Sequence, residues 1–379
     1  MRIVLVADRD LPAEGDCSRD PRVLVAGLRD LGHEVTLLPL ADGGPPGEDG
    51  EQPRATGPDE AISPVPTRAR QGLARLTVPP DAILGMGPAA PVTSAVLADS
   101  LGVPLLLLLP SDFFGQDPPA PGYLRLVCRR LPSSCLLVES ERQSRAAVRH
   151  GADPHRVFVV PPGVRLAPFA PRVEDGARRE APSSRRLRVF CDVSAIDLDD
   201  QRFVAALLDR LGTERRRRVH AVVLAAGEER PGPADDIWSG RDATTLVRDR
   251  GALPALHADS DVVLVPSASG RGTLPALRAL AAGRPLVAAD CPQNRDVVSS
   301  VRHGVLAQPG RRDEWLDKLD YLLTEPSVRS HIGRSARSHA EVRFALPHAL
   351  GRIEECLTAA VAAWRYVPTN DPWTQGEGS

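Results

Sequence analysis

Six residues, Ser267, Ser269, Gly270, Arg271, Gly272 and Thr273, form a short glycine-containing turn that leads into a helical stretch beginning at Leu274. Such a turn can present backbone N–H groups and the positive end of a helix to a phosphate, with Arg271 as the accompanying cation. Pro275 falls in the first turn of that helix, where its missing N–H costs nothing. A helix cap at Thr273 beside an exposed arginine accounts for the same residues without a ligand. Asp112, in PSDFFGQD, follows a leucine run and could act as a base; an ordinary turn aspartate is the alternative. Gly163, in PPGV, reads as a backbone turn between two halves of the chain, with a place near phosphates as its other reading. Asp296, beyond a later helix, fits a capping role better than a ligand contact. The six cysteines are scattered without a CxxC pair, which argues against a zinc site or a disulfide framework.

These residues need a scaffold, and the hydrophobic pattern supplies one. Ile3–Ala7, Glu34–Leu40, Ala82–Leu84, Pro104–Leu109, Cys135–Val138 and Val157–Val160 read as strands, the five leucines 105–109 as a central one. Between the first two, Val23, Leu24, Leu28 and Leu31 recur at helical spacing, and Gly32 follows where a helix commonly stops. Residues 41–59 read as an exposed loop. Residues 171–186 are polar and rich in Pro, Gly and Ser, as an interdomain linker is. Alternation then restarts, with strands at Leu187–Cys191, Ala221–Ala225, Val262–Val265 and Leu286–Ala289. Helices are expected at Asp200–Leu211, Leu274–Ala282 and Asp313–Leu323. The fold class is therefore α/β, in two parallel-sheet halves.

The chain has 379 residues, of which 42% are hydrophobic and 25% charged, an ordinary globular balance. Its 47 basic and 49 acidic side chains nearly cancel, which argues against nucleic acid or an anionic membrane as the main partner. The basic cluster Arg215–Arg218 reads as a solvated helix end. The apolar run Ile3–Ala7 is too short for a signal-peptide core, and no stretch suits an integral membrane segment. A soluble cytoplasmic protein is expected.

Five strings in one order carry a family resemblance: RDPRVLVAGLRDLGHEVTLL (19–38), VVPPGV (159–164), SDVVLVPS (260–267), ALAAGRPLVAAD (279–290) and NRDVVSSVRHGVLAQPG (294–310). They resemble the GT-B fold glycosyltransferases of the retaining family-4 type over roughly residues 1 to 365. The resemblance implies two Rossmann-like domains facing across a cleft. It implies an acceptor-side domain at 1–170, a linker at 171–186 and a donor-side domain at 187–347. A carboxy-terminal helix at 348–366 would pack back on the first domain, ahead of a tail at 367–379. It also implies transfer from a nucleotide-diphosphate sugar to a small-molecule or glycan acceptor, with retention, no metal and no cofactor. Gly15 alone matches the family's glycine-rich acceptor loop.

Cleaving a sugar–phosphate bond requires cations or oriented N–H groups for the departing diphosphate and fixed partners for the sugar hydroxyls. The family uses an arginine and a lysine after the first strand of the second domain, a pair of glutamates, and a first-domain histidine. Here the cation positions fall at about Ser194 and Asp199, and the glutamate positions at Gly270 and Arg278. The histidine positions fall near Leu84, Met86 and Pro110. From Val189 to Gln201 there is no basic residue but there are four aspartates, and from Val262 to Ala289 there is no acid. The sequence thus suggests a degenerate donor site. Two functions follow: an unusual glycosyltransferase, or a catalytically silent GT-B protein that binds a nucleotide, a glycan or an intact partner transferase. A sugar-nucleotide epimerase shares the two-domain form but needs cleft acids and histidines that this chain lacks.

Overall fold

The computed structural model describes residues 1–8, 15–40, 78–87, 90–110, 113, 134–170, 186–194, 196–215, 219–225, 233–241, 243–267 and 273–365. The expected loop at 41–59, most of the expected linker and the tail lie outside the described residues. The chain divides into two compact units, one of Met1–Pro162 with the residues from Pro347 onward, the other of Gly163–Leu346.

The first unit is built on β1 (Arg2–Asp8), β2 (Glu34–Leu40), β3 (Ala82–Met86), β4 (Leu105–Leu109), β5 (Cys135–Val138) and β6 (Val157–Val159), all parallel, in the order β2-β1-β3-β4-β5-β6. Helices α1 (Pro21–Asp30), α2 (Ala90–Leu101) and α3 (Glu141–Arg149) connect them. The all-apolar strands are explained by this layering: Leu5 pairs with Leu37 on one side and Leu84 on the other, and all five leucines of β4 are buried. Helix α1 starts at Pro21, with Asp20 accepting from the Arg22 N–H, and stops before Gly32 at φ +87°.

The second unit alternates β7 (Leu187–Asp192), α4 (Leu198–Thr213), β8 (Val219–Leu224), α5 (Pro233–Trp238), β9 (Thr244–Val247), α6 (Leu253–Asp259), β10 (Val262–Val265), α7 (Thr273–Ala281), β11 (Leu286–Ala289), α8 (Pro292–Val297), β12 (Val305–Ala307), α9 (Arg312–Thr324) and α10 (Pro326–Arg343). Its sheet is parallel in the order β12-β11-β10-β7-β8-β9. Alternate residues of β7 feed opposite cores: Val189 and Cys191 belong to the one that holds Leu207 and Trp315, Phe190 to the one that holds Leu277 and Phe344. Two edge strands, β9 and β12, are not among the expected ones; β9 (TTLV) is half polar, and β12 (VLA) is a three-residue run set between Gly304 and Gln308. Helix α4 runs two residues longer at each end than its apolar pattern, because Asp197 caps it and Asp199 and Asp200 fill its first turn.

The sequence places residues 163–170 with the first half, but the packing assigns them to the second unit. Val164 and Phe169 are buried in its core, and Val164 bridges to Ala345. The last helix, α11 (Leu346–Arg365), lies on the first unit. There Leu350 occupies the space a Cβ at Gly27 would need, His33 lies 3.3 Å from Glu354, and the Trp364 indole donates to the Gly102 carbonyl at 3.0 Å. Glycine at 27 is what lets the two helices come this close.

A candidate donor-binding site on the second sheet

In an open α/β sheet, ligands bind beyond the carboxyl ends of the strands, where neighbouring strands run off in opposite directions. In the second unit that point lies between β7 and β10: the chain proceeds from β7 outward to β8 and β9, and from β10 the other way to β11 and β12. The segments leaving these two strands carry most of the residues singled out above. Ser267 follows β10 and is buried; Thr273, also buried, begins α7 itself. Ser269, Gly270, Arg271, Gly272 and Asp112 lie outside the described residues.

At the end of β7, Asp192 is buried and its Oδ1 accepts from both the Ser194 N–H (3.0 Å) and the Ser194 hydroxyl (2.5 Å). Arg278, in the last turn of α7, is 1% exposed and brings Nη1 to 3.8 Å from the other oxygen of Asp192. Arg250, in a single 3-10 turn (Arg250–Ala252) after β9, donates Nη1–H to the Ser194 hydroxyl at 2.6 Å. Arg278 thus approaches the carboxylate directly, and Arg250 through the Ser194 hydroxyl. Sequence reasoning aligned Ser194 and Arg278 with the site but did not find Arg250. It is 56 residues from Ser194, and only the sheet order brings the exits of β7 and β9 together.

The remaining aspartates of the 189–201 stretch are used locally. Asp197 caps α4 by accepting from the Asp200 N–H at 2.8 Å, and Asp199 pairs with Arg202 at 2.9 Å. Asp200 is pushed up to about 6, first by burial and then by its neighbours Asp197 and Asp199. It lines a cavity of about 900 Å3 on the same carboxyl edge, with Phe203, Pro266, Pro309, Arg311 and Trp315 among its walls. Three of the four aspartates in this stretch thus belong to the start of one helix, on the same carboxyl edge.

Other polar residues near this edge are structural. His257 is fully buried between the edges of Phe169 and Phe190, bonds the Leu253 carbonyl through Nδ1 at 2.9 Å, and is held neutral, its pKa lowered to about 3 chiefly by burial. Asn294 is buried and donates to the Ala289 carbonyl at 2.8 Å, tying α8 to β11. Gly163 begins the second unit and precedes its bridge to Ala345.

The first unit has its own polar carboxyl edge. Gly15, at φ +69°, donates its N–H to Asp20 at 2.8 Å, beside buried Asp16 and Ser18. Arg19 forks onto both oxygens of Glu139, with Nε at 2.7 Å from Oε1. Among the described residues no group of three or more His, Cys, Asp or Glu side chains is placed to hold a metal ion. No helix among them is long and apolar enough to cross a membrane.

Comparison with known proteins fits both sheets. Residues 17–163 match the family model described as a glycosyl transferase 4-like domain, and residues 194–325 match that of glycosyl transferases group 1. Among curated relatives, a D-inositol 3-phosphate glycosyltransferase of Salinispora tropica is 32% identical over 220 residues, covering 51% of this chain and 44% of the relative. Its counterpart in Salinispora arenicola is 30% identical over 244 residues, covering 57% and 52%. The chain spans about half the length of the curated relatives it matches. Sucrose-phosphate synthase from Thermosynechococcus elongatus superposes over 96% of this chain and 100% of its own, with a TM-score of 0.73 at 16% identity. Anabaena Alr3699/HepE, solved in complex with UDP and glucose, covers 94% and 99% with a TM-score of 0.65 at 16% identity. With one transferase model matched in each half, on two parallel six-stranded sheets, the chain is a glycosyltransferase-family protein of the GT-B fold, similar to the family-4 group.

Proposed function

We propose that the protein transfers a sugar from a nucleoside-diphosphate sugar to a hydroxyl-bearing acceptor, with retention of configuration, and that the donor diphosphate lies on the carboxyl edge of the second sheet between β7 and β10. The observation that carries this reading is the polar cluster at that edge, where Asp192 with Ser194, Arg278 and Arg250 come together from three separate segments of the chain. A departing diphosphate gains negative charge, and a fixed guanidinium with convergent N–H groups meets that demand without reorganisation. Ser267 and Thr273, at the mouth of α7, add hydroxyls and a helix N-terminus to the same edge. In the transfer, the bond from the sugar C1 to the diphosphate breaks, a bond from C1 to the acceptor oxygen forms on the same face, and the acceptor proton is released.

For the acceptor we favour a small polyol or a glycan, because the curated relatives carry the name D-inositol 3-phosphate glycosyltransferase. A cytoplasmic location fits the cysteine usage of the sequence, six residues scattered without a CxxC pair.

The test combines binding and turnover. Thermal shift with UDP, GDP, ADP and dTDP should give a clear rise for at least one; a nucleotide at ~100 times its dissociation constant stabilises by about 2.7 kcal/mol. The matching nucleotide sugar should then release its nucleoside diphosphate in the presence of an inositol phosphate or a glycan. Binding without release against any acceptor points instead to a silent binder that serves a partner transferase. No shift with any nucleotide overturns the donor site itself.

A further inference from the structure

We infer that Asp200 is a donor-sugar contact, its carboxylate accepting hydroxyls of the transferred sugar in the cavity beyond β7 and β10. The inference rests on the transferase reading above and deepens it. The start of α4 would supply an acid that the α7 segment, with none from Val262 to Ala289, does not carry.

Among the described residues, four acids line that cavity: Asp199, Asp200, Asp313 and Glu314. Three of them have cations. Asp199 pairs with Arg202 at 2.9 Å, Asp313 with Arg210 at 2.8 Å, and Glu314 with Lys318. Asp200 is the exception. Its backbone N–H is spent on the Asp197 cap, but among the described residues its carboxylate has no hydrogen bond or ion pair. Burial, and then the like charges of Asp197 and Asp199, raise it to about 6, as expected of a carboxylate that no cation answers. Half-buried and beside a cavity, it offers several acceptor sites to a ligand that brings donors.

The walls select the chemistry of that ligand. A phosphate would meet Asp200 as a like charge, and a cationic amine would meet Arg311 and Arg312, which line the same cavity. A neutral group rich in hydroxyls avoids both conflicts: its O–H groups donate to the carboxylate, and its oxygens accept from the guanidinium groups. Phe203, half-buried and edge-on to Trp315 with 5.6 Å between ring centroids, gives the C–H face of a sugar ring an apolar wall. The volume of about 900 Å3 falls within the ~300–1,000 Å3 of ordinary small-molecule sites. Asp200 lies in the first turn of the helix that follows β7, and Pro266 comes directly after β10. These are the two strand ends assigned to the diphosphate, so a sugar joined to it has this cavity beside it.

The experiment titrates the whole protein, Asp200→Ala and Asp200→Asn by calorimetry with two probes. One is whichever of UDP, GDP, ADP or dTDP binds the parent most tightly; the other is the tightest of that nucleotide's glucose, mannose and N-acetylglucosamine conjugates. Asp200→Ala should bind the nucleotide sugar roughly 10- to 100-fold more weakly, as the loss of hydrogen bonds to a charged group implies. The bare nucleoside diphosphate should bind within about 2-fold of the parent, or more tightly because a negative charge has gone, which also shows that the variant is folded. Asp200→Asn keeps one acceptor oxygen and should recover part of the loss. Unchanged affinity for the nucleotide sugar overturns this inference and leaves the transferase reading standing. An equal change for both probes overturns it as well, since Asp200 would then not act on the sugar, and so does a parent that binds the diphosphate but none of its conjugates. A parent that binds neither probe sinks both readings.

Discussion

The carboxyl edges of the two sheets solve the same electrostatic problem in opposite ways. On the first sheet, one arginine meets one carboxylate: Arg19 forks onto Glu139, whose backbone N–H is in turn accepted by the Gln143 side chain at 2.7 Å. On the second, Arg278 lies 3.8 Å from Asp192 with both side chains buried, and the exposed Arg250 reaches the same strand end through the Ser194 hydroxyl. The first pair is partly exposed and joins two loops, whereas the second is sealed in the core at the end of a strand. A partly exposed pair can exchange its partners for water, and a buried pair cannot.

This contrast can be broken most forcefully at Arg278. Arg278→Ala should strand the Asp192 carboxylate in the core and cost roughly 3–5 kcal/mol of unfolding free energy, read from urea denaturation. Arg278→Met with Asp192→Leu should cost much less than the two single changes summed, because no charge is then left alone. A small loss for Arg278→Ala would show that the pair is solvated and that the division into deep and surface charge is wrong.

On the first sheet, Arg19→Ala should cost about 1–3 kcal/mol in the same measurement, less than at Arg278 because the Arg19 side chain is partly exposed. A loss larger than that of Arg278→Ala would reverse the ranking of the two edges.

The pH dependence sharpens the picture of the second unit, where burial sets the titrations. His339, stacked on His303 at 3.8 Å, is lowered to about 4, chiefly by burial, with Coulomb repulsion from His303 next. The unfolded chain therefore binds more protons than the folded one between about pH 6.5 and 4, and stability falls as pH drops through that window. Asp200, raised to about 6, acts the other way: the folded chain holds more protons between pH 6 and about 4, so stability rises as pH drops. Both groups are half-exposed, so each contributes on the order of 1 kcal/mol after solvent screening. In a melting series from pH 7 to 4.5, His339→Gln should flatten the acid-side loss and Asp200→Asn should steepen it. The same direction for both variants would refute the assignment.

The smallest effect is expected at Arg202→Ala. Its pair with Asp199 is exposed, so stability should change by less than about 0.5 kcal/mol and nucleotide affinity not at all.

How far the sequence carries the argument differs between strands and site. The buried strands were legible because an all-apolar run such as LLLLL at 105–109 fits only a strand covered on both faces. Helix α1 was legible from its apolar recurrence and the glycine after it, although its cap, Asp20, drew no notice. The strands β9 and β12 were not legible, because TTLV is half polar and VLA is a three-residue run between Gly304 and Gln308. The sequence puts residues 163–170 with the first half because the polar stretch after Pro171 reads as the boundary, whereas the compact second unit begins at Gly163. The burial of Val164 and Phe169 decides that question, and burial has no local signature.

The amino-acid sequence alone determined the α/β class, the division into two halves and the family resemblance, because hydrophobic period and ordered short strings are properties of neighbouring residues. It also showed the acid-rich run at 189–201, but not what becomes of it. Three aspartates turn to the start of α4 and one to a buried arginine 86 positions on, a partition set by helix capping and sheet order. Only the tertiary structure decided where the positive charge stands. Parallel strand order, not chain proximity, brings Arg250 and Arg278 to the end of β7, and Coulomb interactions depend on distance in space.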